Sequence, residues 1–132
     1  MTVLVTDTGF GPEDWTAGFA DAEARTGDAG LDLASDIDPL SVDFDGVPAI
    51  RVDFPSFADG RGFSIARQLR LRGFAGRLRA RGHVLADQYG MARRVGFDEV
   101  EIDEALADRQ PEDQWIFRSD WQAHNYQARL RG

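Results

Sequence analysis

Two side-chain types are missing from the 132 residues: cysteine and lysine. Without cysteine there are no disulfides, no iron–sulfur or thiolate-zinc ligands and no thiol nucleophile. Without lysine there is no Schiff-base amine, no lysine anchor for pyridoxal phosphate and no Walker A lysine. Histidine is scarce as well: His83 and His124 stand far apart, with no H-E-x-x-H or comparable spacing, so no metal site is expected. Asp36 and Asp38 lie in an acidic stretch that lacks the spacing and terminal glutamate of a calcium loop. No apolar run approaches the roughly 20 residues of a membrane span, and no signal-peptide pattern opens the chain. The expectation is a cytoplasmic protein without a membrane partner. At 14.6 kDa the chain is the size of one domain. Such a domain buries about two-thirds of its surface on folding, enough for a core without staples.

All 15 basic residues are arginine, and the charges segregate along the chain. Residues 1–50 carry 11 acids against one arginine, a net of −10. Residues 51–94 carry 10 arginines against 3 acids, a net of +7, and residues 95–132 return to −5 with 9 acids and 4 arginines. The total of −8 argues against nucleic acid as a partner. Either the acidic flanks pair with the basic middle, or some central arginines converge on an anion.

Periodicity predicts a mixed α/β domain over residues 1–132, with a mainly parallel sheet. Thr2–Thr6 reads as a strand, and Pro12 as the first turn of a helix through Trp15 and Phe19. Residues 26–48, rich in Gly, Asp and Pro, read as loop with short strands or turns near Leu31–Leu33 and Val42–Phe44. The centre is clearer. Ala49–Phe54 alternates apolar and polar, Phe63–Arg72 has helical spacing closed by Gly73, and Arg77–Arg81 alternates again. A helix over Val84–Val95, capped by Gly96, leads to a strand at Phe97–Ile102. This β-α-β-α-β unit, about residues 49–102, implies parallel strands joined by right-handed crossovers. An aromatic tail follows over residues 111–132, with Trp115, Phe117, Trp121 and Tyr126. It is expected to pack on the body of the domain, within one subunit or across a homodimer, or else to form a partner-binding arm.

Two constellations carry chemical possibilities. Asp59-Gly60-Arg61-Gly62-Phe63-Ser64 lies between a strand end and a helix start, where parallel α/β proteins bind ligands. Glycines there would allow close backbone approach, Ser64 adds a hydroxyl, and Arg61 and Arg67 add bidentate positive charge. The fit is to an oxyanion or a phosphate-bearing ligand; otherwise Asp59 caps the helix and the glycines make a turn. The next strand end presents Arg79, Arg81, Gly82 and His83, with Asp87 and Gln88 following. His83 and Asp87, four residues apart, are the one candidate acid/base pair. Gln88 breaks an apolar helix face, either to satisfy a loop group or to line a pocket. There is no dinucleotide fingerprint, and the sequence names no cofactor.

The strings F-P-S-F-A-D-G-R-G-F-S-I-A-R-Q-L-R, G-R-L-R-A-R-G-H-V-L-A-D-Q and G-F-D-E-V-E-I, between Phe54 and Ile102, resemble a proteobacterial domain-of-unknown-function family. Its members are commonly labelled oxidoreductases of sulfite reduction, because their genes tend to lie beside assimilatory sulfite reductase. The family pattern falls on Asp59, Gly60, Arg61, Gly62, Ser64, Ala66, Arg67 and Leu69. It continues at Leu78, Arg79, Ala80, Gly82, Asp87, Gln88, Gly96, Phe97 and Asp98. Two positions depart from it: His83 stands where many relatives have an acid, and Val95 where many have cysteine. The resemblance implies an accessory protein or oxidoreductase of sulfite reduction. In that picture Arg61, Arg67 and Arg79 hold an oxyanion, Ser64 and backbone N–H groups orient it, and Gln88 lines the rim. The alternative is a non-catalytic partner that binds sulfite reductase through the aromatic tail.

Overall fold

The computed structural model describes residues 2–117; Trp121, His124 and Tyr126 of the expected tail lie outside them. The strands are β1 (Thr2–Thr6), β2 (Gly9–Gly11), β3 (Phe19–Ala20), β4 (Gly30–Leu33), β5 (Ala49–Phe54), β6 (Arg77–Gly82) and β7 (Glu99–Asp103). The helices are α1 (Arg61–Leu71), α2 (Tyr89–Val95), α3 (Glu104–Arg109) and α4 (Glu112–Phe117). They build one mixed α/β domain on a seven-stranded sheet of order 2-1-7-6-5-4-3. Strands β3 to β7 are parallel and follow one another in chain order, while β1 joins β7 and β2 antiparallel.

Because each parallel connection advances the same way, right-handed crossovers put all of them on one face of the sheet. Helices α1 and α2 pack there against each other, with a 3-10 turn at Pro39–Ser41 beside α1. The strand residues facing them are apolar, among them Leu31, Leu33, Ile50, Val52, Phe54, Leu78, Ala80, Val100 and Ile102, and all are buried. Gly73 and Gly96 end the two helices with φ of +99° and +119°. Strand β1 and the elements of the central unit follow the sequence reading closely, whereas β2, β3 and α3 were not expected from it.

Two segments differ from it. Residues 12–18 form no helix, but an irregular strap across the opposite face of the sheet. Its acids are drawn onto that face, Glu13 bonding Arg79 and Asp14 pairing with Arg77, and this competes with helical geometry. Residues 84–95 are likewise no single helix: a 3-10 turn at Ala86–Gln88 precedes α2. Gln88 accepts from the Leu85 backbone N–H at 2.9 Å, closing that turn.

The strap covers a ladder of charge. Arg51 bonds Asp32 (2.6 and 2.8 Å) and Glu101 (3.1 Å). Arg77 bonds Glu99 (2.8 Å), and Arg79 bonds Glu99 (2.5 Å), Glu101 (2.9 Å) and both carboxylate oxygens of Glu13. The guanidiniums of Arg51 and Arg79 lie 4.4 and 5.1 Å from the Phe19 ring centroid. The acidic flanks thus pair with the basic middle. Burial opposes the charge on Arg79, but the carboxylates around it outweigh that and hold its pKa above the ordinary value.

The same contact pulls Glu13 down from 4.5 to about 2, chiefly through its hydrogen bond with Arg79. A carboxylate with a depressed folded-state pKa stabilises the fold above its unfolded pKa and loses that contribution as pH falls through the folded one. Stability is therefore expected to decline between about pH 4.5 and pH 2. In urea melts across this range, Glu13→Gln should show a flatter profile than wild type; identical slopes would exclude the Glu13–Arg79 contact as a source.

Candidate functional site

Parallel strands end where the β5–α1 loop leaves the sheet, and this loop carries the Asp59–Ser64 sequence. Arg61 is held in a fork: its Nε and Nη2 donate to Asp59 at 3.0 and 2.7 Å, and Nη2 also to the Ser35 hydroxyl at 3.0 Å. Asp59 additionally accepts from the Arg61 backbone N–H at 3.0 Å, so it tethers the start of α1. Led by the Arg61 side-chain hydrogen bond, these contacts push the Asp59 carboxyl well below the usual range, and Asp59 in turn raises Arg61. Beside them opens a cleft of about 270 Å³ lined by Ser35, Asp36, Ile37, Arg61, Ser64 and Ile65, with Pro39 at its edge. Arg61 is 60% exposed at its mouth, and its Nη1 donates to no described residue.

The glycines do other work. A Cβ on Gly62 would stand 2.4 Å from the Phe54 ring, so this glycine exists for helix–strand packing rather than for ligand approach. Gly60 is the N-cap of α1 at φ −89°, a conformation open to other residues.

The remaining predicted residues are dispersed. Arg67 is exposed and sits about 240° round α1 from Arg61, outside the cleft. Arg79 lies on the opposite face of the sheet, 0% exposed, with its donors taken by Glu13, Glu99 and Glu101. Gln88 is occupied in its turn. His83, with Nδ1 3.2 Å from the Phe54 carbonyl and its ring edge-on to Phe57, lines a hollow at the ends of β5–β7. Asp87 lines a different one, with Asp113, Gln114 and Phe117. The structure thus joins Asp59, Arg61 and Ser64, and does not bring Arg67, Arg79 or Gln88 to them. Ser35 was invisible in the sequence, since only the parallel pairing of β4 with β5 carries the end of β4 to this loop. Among the described residues no group of three His, Asp or Glu is placed to hold a metal ion. No helix there is long and apolar enough to cross a membrane.

Fold and cleft together define a mixed α/β protein with a mostly parallel sheet and a small cleft at its carboxyl edge. A family model described as "Bacterial protein of unknown function (DUF934)" matches residues 30–132, and the chain belongs to that family. No curated protein and no solved structure matches it.

Proposed function

We propose that the protein is an accessory binding protein of assimilatory sulfite reduction, holding sulfite or a similar oxyanion in the cleft between Ser35 and the Asp59–Ser64 loop. The observation that carries this reading is Arg61, braced by Asp59 and Ser35 yet with Nη1 uncommitted at the mouth of the cleft. An anion seated there takes Nη1 and the Ser64 hydroxyl, while Asp59 keeps the guanidinium plane fixed. The direction toward sulfite comes from the label carried by the proteins this sequence resembles. His83 and Asp87 line separate hollows, away from Arg61 and Ser64, and this reading gives them no part in holding the anion.

Titration with sodium sulfite, sulfate and phosphate should raise Tm in a concentration-dependent way for at least sulfite. Arg61→Ala is expected to abolish that response with little loss of stability, because exposed ion pairs add little to folding. A variant that unfolds, or that responds as wild type does, would show Arg61 to be structural and remove the site.

One observation favours a second reading, in which the C-terminal segment binds the sulfite reductase. Trp115 turns into the core, but Ile116 and Phe117 beside it are exposed, Phe117 by 68%. Ile116→Ser/Phe117→Ser should then lose binding to purified reductase while keeping the oxyanion response; unaltered binding would discard this reading.

A further inference from the structure

The charge ladder on the strap-covered face is satisfied at every rung but the last. Arg51, Arg77 and Arg79 all donate hydrogen bonds to carboxylates. Arg81, the next arginine along β6, donates none to any described residue; its closest acids are Glu101 at 3.4 Å and Asp53 at 3.8 Å. Asp53, its register partner on β5, accepts no hydrogen bond from the described residues either. The two side chains are 50% and 43% exposed. They stand at a cleft of about 350 Å³ at the carboxyl ends of β5, β6 and β7, whose polar lining also includes Thr2, His83, Glu101 and Asp103. This is the end of a parallel sheet at which ligands are bound, and its volume suits a small molecule.

The other carboxylates of the cleft are already committed. Glu101 serves Arg51 and Arg79, and Asp103 caps α3 by accepting from the Leu106 N–H at 2.8 Å. What is left to a ligand is one guanidinium and one carboxylate, neighbours across a strand pair. A sulfate-like dianion would meet Asp53, Glu101 and Asp103 together, and a bare cation on Asp53 would leave Arg81 without a new partner. A molecule bearing both charges satisfies both groups.

We propose that this cleft binds a small ammonium carboxylate, with the carboxylate forked on Arg81 and the ammonium on Asp53. The site is separate from the oxyanion cleft at Ser35 and Arg61 and does not depend on it. Arginine binds carboxylate through two parallel N–H donors, which fixes the ligand's orientation. Asp53 then selects against acids that lack the amine.

Backbone amide NMR titration of the full chain tests this with L-serine and L-glutamine, against acetate, methylammonium and sulfate as partial or wrong-charge probes. Saturable shifts are expected at Gly82, His83 and Asp103 with the two amino acids, and weaker binding by roughly tenfold or more with acetate or methylammonium, which leave one charged group unpaired. Arg81→Gln and Asp53→Asn should each abolish the saturable shifts while leaving amides remote from the cleft in place. The proposal fails if sulfate shifts the same amides as strongly as the amino acids do. It also fails if either variant titrates like wild type, or if no amino acid gives saturable shifts there. Shifts confined to Ser35, Arg61 and Ser64 belong to the oxyanion cleft and would likewise leave this one without a ligand.

Discussion

Arg79→Ala is expected to cost about 3–5 kcal/mol of folding stability, the range for removing one partner of a buried ionic group. Arg79 is fully enclosed and is the shared partner of Glu13, Glu99 and Glu101. Its loss leaves Glu99 to Arg77 and Glu101 to Arg51 and Arg81, and it frees Glu13, which ties the strap to the sheet. Arg79→Lys should recover only part of the loss, because one compact ammonium replaces a planar fork engaged by three acids. Urea denaturation checks both variants. A loss below about 1 kcal/mol, the usual worth of an exposed pair, would mean that water reaches the network and that the strap does not seal it.

Trp115→Ala should be comparably damaging, at about 3–5 kcal/mol for truncating a buried tryptophan. The indole is fully buried, edge-on to Tyr89 with ring centroids 6.1 Å apart, and its N–H donates to the Gln110 carbonyl at 2.8 Å. Gln110 in turn accepts from the Ala86 N–H at 2.6 Å, so one contact secures α4 and the turn before α2 together. Glu112 adds a tie to β2, accepting from the Phe10 N–H at 2.8 Å. Trp115→Phe keeps most of the apolar volume but leaves the Gln110 carbonyl without its donor, so the expected cost is smaller, about 1–3 kcal/mol. Thermal melts report the difference: near 4 °C per kcal/mol for a domain of this size, Trp115→Ala should lower Tm by roughly 12–20 °C. A shift of only a few degrees would mean that α4 rests on the surface and is free for other uses. Chain truncation at 112 would remove this anchor along with Ile116 and Phe117, so it cannot separate packing from recruitment; the paired serine substitutions at Ile116 and Phe117 can.

Strand alternation made the central unit legible in the sequence. Ala49–Phe54 and Arg77–Arg81 each put small or apolar residues at every second position, and helix-ending glycines at 73 and 96 marked the intervening helices. Parallel strands and right-handed crossovers followed from that order, because local periodicity and short loops are properties of neighbouring residues. The segregated charges left two outcomes open, and the tertiary structure shows the first of them, acidic flanks paired with the basic middle. Register sets Arg79 beside Glu99 through the pairing of β6 with β7, and the strap brings Glu13 from 66 residues away. The Pro12 helix failed for the same reason: ion pairs across the fold overrode a local start signal. The candidate site divides along the same line. Asp59, Arg61 and Ser64 were readable because they are close in sequence and stand at a strand-to-helix junction. Ser35, the isolation of Arg67, Arg79 and Gln88 from that cleft, and the half-exposed Asp53–Arg81 pair depend on which strands lie side by side and which face each side chain takes. Those are long-range facts, decided only when the sheet closes and each donor finds, or lacks, an acceptor.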